Sequence, residues 1–83
     1  MFETNIIIPI KLNKEERISL INNISKDLEM DIYLGFGSGE FDTVIELLLN
    51  VVGNDSFYEM YLNSFEGVNL DVVLQSILET QNF

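Results

Sequence analysis

The chain has 83 residues, with 14 Asp and Glu, 4 Lys and Arg and no His, and its formal net charge is −10. The length predicts a single compact domain over residues 1–83, and an apolar fraction of 47% is too high for a disordered acidic tail. Because the sequence has neither Cys nor His, it excludes disulfides, thiol nucleophiles, His-based catalytic triads and zinc sites with Cys or His ligands.

Residues 5–12 have the pattern of a first, short strand. They are rich in β-branched side chains, which favour the extended conformation. Pro9 has no N–H to donate to a neighbouring strand, so we expect this strand to lie at an edge of the sheet or to contain a bulge.

The first helix is predicted over residues 14–28. Asn13 and Glu16 have the spacing of a capping box, in which each side chain bonds to the backbone N–H of the other residue. Apolar side chains recur at helical spacing behind this cap, at Ile18, Ile21, Ile24 and Leu28. We expect the outer face of the helix to carry three of the bases, Lys14, Arg17 and Lys26.

A second strand is predicted over residues 31–36. Ile32, Leu34 and Phe36 alternate with other residues and would share one face of a strand. The glycine-rich segment that follows is expected to end the strand, with Ser38 as the cap of the next helix.

The strongest helical pattern covers residues 41–52, where apolar side chains extend well beyond a normal stripe. Glu40 and Asp42 suit the positive end of its dipole, and Gly53 is expected to end it. A helix this apolar lies either at the centre of the fold or in an interface with a partner.

Residues 56–65 fit either a strand or a helix, and we favour a helix capped by Asn54 or Asp55. That helix would direct four side chains to the core, namely Phe57, Met60, Tyr61 and Phe65. Tyr58 would then face outward together with Asp55, Glu59, Leu62 and Glu66. Gly67 ends the segment, and Asn69 is expected to cap a last helix that begins at Leu70.

Together these elements predict a small α+β fold, with two short N-terminal strands around one helix, followed by two or three further helices. The alternative is an all-α fold with an irregular N-terminal segment.

No catalytic, metal or cofactor site is predicted. Glu40 stands where a dinucleotide-binding loop would need its third glycine, and no Lys follows to make a phosphate-binding loop. Asp27, Glu29 and Asp31 are spaced like the first ligands of a calcium loop, but Ile32 replaces the required Gly. We therefore expect a protein that is not an enzyme and that carries no cofactor.

The charges are distributed unevenly along the chain. All four bases lie between Lys11 and Lys26, whereas the segment from Asp27 to Phe83 contains 11 acids and no base. This argues against direct binding to nucleic acid and against binding to an anionic membrane. It favours a basic protein partner, such as a nuclease or another nucleic-acid-binding protein, although the charge could also serve solubility alone.

The predicted partner-binding surface combines carboxylates with one aromatic and one aliphatic side chain. Its members are Glu40, Asp42, Glu46, Asp55, Tyr58, Glu59, Leu62 and Glu66. The predicted function is a small acidic inhibitor that occludes a basic partner, as immunity proteins, antitoxins and phage anti-defence proteins do. The exterior from Asp27 onward is expected to be continuously anionic.

The alternative function is a structural or assembly module, in which the apolar helix over residues 41–52 contacts a second copy or a larger subunit. The N-terminal residues contain neither a basic leader nor an apolar run long enough for a membrane span. We therefore expect a cytoplasmic protein.

Overall fold

The structure is a computed structural model, and it describes residues 4–37 and 39–81. Strand β1 is Ile7–Pro9, helix α1 is Lys14–Phe36, and helix α2 is Phe41–Val52. Helix α3 is Asp55–Met60, strand β2 is Gly67–Asn69, and helix α4 is Leu70–Gln81. The α+β class is confirmed, because four helices accompany a two-stranded antiparallel sheet in the described residues.

The sheet joins the two ends of the chain. Ile8 pairs with Val68 and Pro9 pairs with Gly67, in an antiparallel register. Pro9 lies in a strand with a single partner, as its missing N–H requires. The next residue continues the ladder, because the Ile10 N–H donates to the Glu66 carbonyl at 2.9 Å.

The predicted strand over residues 31–36 is wrong, because these residues form the last turns of α1. Leu28, Ile32 and Phe36 recur every four residues and are all buried, so they continue one apolar face of the helix. Leu34, which the alternating pattern placed beside Ile32, is 69% exposed. The helix ends only at Gly37, which has a φ of 94° and donates its N–H to the Tyr33 carbonyl.

Helix α2 has the bounds that the sequence predicts, and it contacts the other three helices. Val44, Leu48 and Val52 are fully buried along one face. Its remaining apolar side chains are partly buried against the same core. The N-cap is Glu40, while the expected cap Ser38 lies outside the described residues.

The predicted caps of the last two helices are present, but α3 ends at Met60 and does not extend to residue 65 as predicted. The side chain of Asn54 accepts from the N–H groups of Ser56 and Phe57, which caps α3. The side chain of Asn69 accepts from the Asp71 N–H at 2.8 Å, at the start of α4. The capping box of Asn13 at the start of α1 is present in both directions.

Gly67 is the position where the sheet tolerates no side chain. Its φ is +152°, and a Cβ atom there would lie 1.9 Å from the Ile8 carbonyl oxygen. The backbone of β1 therefore approaches β2 more closely than any L side chain allows.

We expect Gly67→Ala to lower the free energy of unfolding by about 3 kcal/mol, because β1 must move away from β2. Urea denaturation measures the change. Thr43→Ala, at an exposed position on α2, is the control and should change the stability by less than about 0.5 kcal/mol. Equal urea midpoints for Gly67→Ala and the wild type would contradict the close approach.

Candidate protein-binding surface

The orientation of α3 is set by Tyr58, and the outward direction that the sequence predicts for this side chain is wrong. Tyr58 is only 5% exposed, and its hydroxyl lies 3.0 Å from the carbonyl oxygen of Ile8 and 3.1 Å from that of Pro9. The hydroxyl can donate to these oxygens, which lie at the end of β1. The hydroxyl of the buried Tyr58 ring therefore has hydrogen-bond acceptors.

Arg17 of α1 contacts two residues of α3. It is 3% exposed, so its predicted place on the outer face of α1 is also wrong. Its guanidinium carbon lies 4.2 Å from the centre of the Tyr58 ring, which is a cation–π contact. Arg17 also forms an ion pair with Asp55, whose side chain is 80% exposed. We call Arg17, Asp55 and Tyr58 the arginine cluster.

The reversed orientation of α3 exposes side chains that the sequence assigns to the core. Phe57 is 50% exposed, Met60 is 72% exposed and Phe65 is 100% exposed. Two structural facts explain the error. The helix ends at Met60, so the helical spacing does not extend to Phe65, and the arginine cluster takes the place of an apolar contact at Tyr58.

The arginine cluster lines one wall of a cavity of ≈ 490 Å³, which we call the α3 cavity. Four of the predicted partner-binding residues meet there, namely Asp55, Tyr58, Glu59 and Leu62. Glu66 lies next to this region, because its carbonyl accepts the Ile10 N–H and Ile10 also lines the cavity. Sequence reasoning missed that Lys14 lines the same cavity.

The other predicted acids lie on a different part of the molecule. Asp42 and Glu46 are exposed on α2, four residues apart and thus on one face, and Glu40 precedes them as the N-cap. Asp42 lines a second cavity together with Glu29 and Lys26. The predicted partner-binding residues therefore form two groups, and no hydrogen bond or ion pair joins the groups within the described residues.

These positions correct the expectation of a continuously anionic exterior. Lys14 lines the α3 cavity together with Asp55 and Glu59, and Lys26 lines the second cavity together with Asp42. These two bases of α1 therefore interrupt the acidic surface at the two cavities. The surface of α2 and α4 remains free of bases, since neither helix contains Lys or Arg.

A third cavity, which we call the α2–α4 groove, has a volume of ≈ 260 Å³ and no base in its walls. Helix α2 supplies Leu47, Asn50 and Val51, and α4 supplies Ser76, Ile77 and Thr80. Phe57 and Tyr61 close it from the side of α3. No sequence pattern pointed to this groove, because its lining residues come from three helices that are separated along the chain.

Among residues 4–37 and 39–81, no group of three or more Asp or Glu is placed to hold a metal ion. No helix in these ranges is long and apolar enough to cross a membrane. Comparisons with the models of known protein families, with curated proteins and with solved structures found no match to this chain.

We expect Asp55→Asn to lower the free energy of unfolding by about 1–3 kcal/mol, because the buried Arg17 cation then loses its anionic partner. Asp27→Asn is the matched control, since Asp27 is exposed and has no ion pair within the described residues. Urea denaturation of both variants at neutral pH measures the difference. Equal stabilities of the two variants would show that the Arg17–Asp55 pair contributes nothing.

Burial raises the pKa of Tyr58 above its usual value, and the positive charge of Arg17 opposes part of that rise. The stabilisation by neutral Tyr58 is therefore complete below a pH of about 10 and is lost as the pH rises through its folded-state pKa. We expect Tyr58→Phe to lose less stability than the wild type between pH 9 and 11, by up to about 1 kcal/mol. Urea denaturation at several pH values measures this.

Tyr33→Phe serves as the control for the alkaline series, because the Tyr33 ring is 52% exposed on α1. Its loss of stability with pH should follow that of the wild type. A Tyr58→Phe profile that also follows the wild type would contradict the buried, neutral state of Tyr58.

Proposed function

We propose that the protein is a small acidic inhibitor that binds a basic protein and occludes its functional surface. The observation that carries the proposal is the set of unpaired carboxylates from Asp27 onward. Asp55, Asp71 and Glu79 bond to other side chains, whereas the remaining eight acids of this segment have no ion pair or hydrogen-bonded side chain within the described residues. Their charges are available to a partner.

The burial of Arg17 adds to this excess of negative charge. Arg17 is paired and 3% exposed, so its cation is withdrawn from the surface. The exposed bases of the described residues are Lys11, Lys14 and Lys26, all of them before Asp27. A positively charged partner would therefore meet attraction over α2, α3 and α4, and its association would be accelerated at low salt.

Exposed apolar side chains supply the second requirement of a protein interface. Met60 and Phe65 are highly exposed and lie in the same segment as the exposed acids Glu59 and Glu66. Aromatic residues and Met are enriched in interfaces, and a few buried anchors carry most of the binding energy. Met60 and Phe65 thus replace Tyr58 as the proposed anchors, because Tyr58 is already buried within the fold.

The turn that carries Phe65 is held by hydrogen bonds. The Ser64 hydroxyl oxygen accepts from the N–H of Glu66 at 3.2 Å and from that of Gly67 at 3.3 Å. Gly67 is itself fixed in β2. The backbone of this turn is therefore ordered before binding, which lowers the entropic cost of presenting Phe65 to a partner.

Occlusion is the proposed mechanism. The carboxylates would attract and match Lys and Arg of the partner, while Met60 and Phe65 would exclude water from the centre of the contact. If those bases normally hold nucleic acid phosphates, the acidic protein competes for the same surface. Such a role fits immunity proteins, antitoxins and phage anti-defence proteins, and we propose that it is exercised in the cytoplasm.

The alternative of an assembly module formed through α2 gains no support from the packing. The apolar side chains of α2 are all buried or partly buried against the core, and none is among the highly exposed apolar residues. Helix α2 therefore has no continuous exposed apolar face, and only Leu47 and Val51 among its apolar side chains line the α2–α4 groove. A homodimer would also bring two chains of charge −10 together, which is unfavourable at low salt.

Affinity purification from the host tests the proposal, with the double variant Glu59→Gln and Glu66→Gln. We expect the wild type to capture a basic protein, and we expect the variant to bind that protein about tenfold more weakly. The capture is identified by mass spectrometry, and calorimetry at low and moderate salt then measures the dissociation constants.

The matched control is Glu15→Gln with Glu16→Gln, which makes the same charge change at two exposed glutamates of α1 that precede the acidic segment. A glutamine at position 16 can still accept the Asn13 N–H in the capping box. It should weaken binding by less than about threefold. The proposal fails if the captured protein is acidic, if nothing is captured, or if both double variants bind equally well.

A further inference from the structure

We infer that the α2–α4 groove is a docking site for a basic, amphipathic helical segment of the partner, whose apolar side chains fill the groove. This inference rests on the proposed function, since it names the kind of segment that the acidic surface would bind. It concerns a different surface from the Met60 and Phe65 anchors.

The size of the groove indicates what can fill it. Small-molecule sites have volumes of about 300–1,000 Å³, whereas an apolar cavity of about 150 Å³ already holds a benzene molecule. At ≈ 260 Å³ the groove matches one or two large apolar side chains better than a whole small-molecule ligand. The half-exposed ring of Phe57 forms part of its wall and is available for such a contact.

The lining combines apolar walls with a neutral polar edge. Leu47, Val51 and Ile77 supply aliphatic contact. Asn50 and Thr80 are exposed and also line the groove, so their side chains can form hydrogen bonds with groups at the surface of an inserted segment. Anchoring of an amphipathic helix by apolar side chains at helical spacing is an established mode of recognition in such grooves.

The charges on α2 and α4 indicate that the bound segment should be basic. Glu46 is exposed on α2 one turn before Asn50, and Glu79 is exposed on α4 beside Thr80. The two helices that form these walls therefore each carry an exposed carboxylate, and neither helix carries a base. A segment with apolar side chains on one face could fill the groove, and Lys or Arg on its flanks could pair with these carboxylates. A second copy of this chain would instead bring further negative charge.

The test uses a synthetic peptide of about 18 residues made of Leu and Lys, with Leu at helical spacing. A peptide of the same composition in scrambled order has equal charge but no apolar face. Backbone amide NMR shifts of the intact protein locate each peptide, and the titrations give dissociation constants. We expect the amphipathic peptide to shift the amides of Leu47, Val51 and Ile77, and to bind about tenfold more tightly than the scrambled one.

The variant Asn50→Lys places a cation at the edge of the groove, and Asn22→Lys makes the same change at an exposed position on α1. Both positions are solvent-exposed in helices, where Lys is well tolerated. We expect Asn50→Lys to weaken binding of the amphipathic peptide about tenfold and Asn22→Lys to weaken it by less than about threefold.

Three outcomes would overturn the inference. The two peptides could bind equally well, the shifts could fall on α1 around Met30 and Leu34, or the groove amides could shift with protein concentration alone, which would make a second copy the occupant. The first outcome leaves the acidic inhibitor in place, because it shows charge-driven binding without the groove. Capture of no basic protein from the host would instead refute the proposed function itself.

Discussion

The burial of Arg17 is the constraint on which the exposed surface of this protein depends. A guanidinium that is nearly inaccessible to water needs an anion and a polarisable neighbour, and α3 supplies both through Asp55 and Tyr58. A six-residue helix has little stability of its own. The arginine cluster and the hydroxyl contacts of Tyr58 therefore fix α3 against α1 and β1.

Several surface properties follow from that attachment. With Tyr58 turned inward, Phe57 reaches the α2–α4 groove and Met60 is left in solvent. Lys14 and Glu59 both line the α3 cavity, which therefore has mixed charge, whereas the groove that Phe57 helps to form has no base in its lining. The two sides of one short helix therefore favour different ligands, because the groove has mostly apolar walls without a charged residue, whereas the α3 cavity is lined by both bases and acids.

Much of the fold could be predicted because its local signals are strong. The capping box of Asn13 and the apolar repeat over residues 41–52 depend on neighbours within a few positions, and both are present as expected. The apolar pattern of Ile32, Leu34 and Phe36 was ambiguous, since Leu28, Ile32 and Phe36 also fit a helix. Residues 31–36 are helical because α1 continues to Phe36. The alternation of apolar residues within this six-residue segment does not show whether the preceding helix continues.

The candidate site was predicted less well, because its geometry depends on contacts between distant parts of the chain. The carboxylates could be named from the sequence, and those of α2 are exposed as expected. Nothing near Arg17 in the sequence indicates that its partner is Asp55, 38 residues away. Because the sequence does not indicate this pair, the buried face of α3 was assigned to the wrong side chains. For the same reason the α2–α4 groove was not predicted.

The sheet pairs segments that lie far apart in the sequence, which bears on the order of folding. Strand β1 near the start of the chain pairs with β2 near its end, and Thr4 bonds to Asp71 across a separation of 67 residues. Contacts that close so long a loop are entropically expensive until the intervening helices have formed. Docking of α1 against α2 is the more local event, so the pairing of β1 with β2 is expected to form after it.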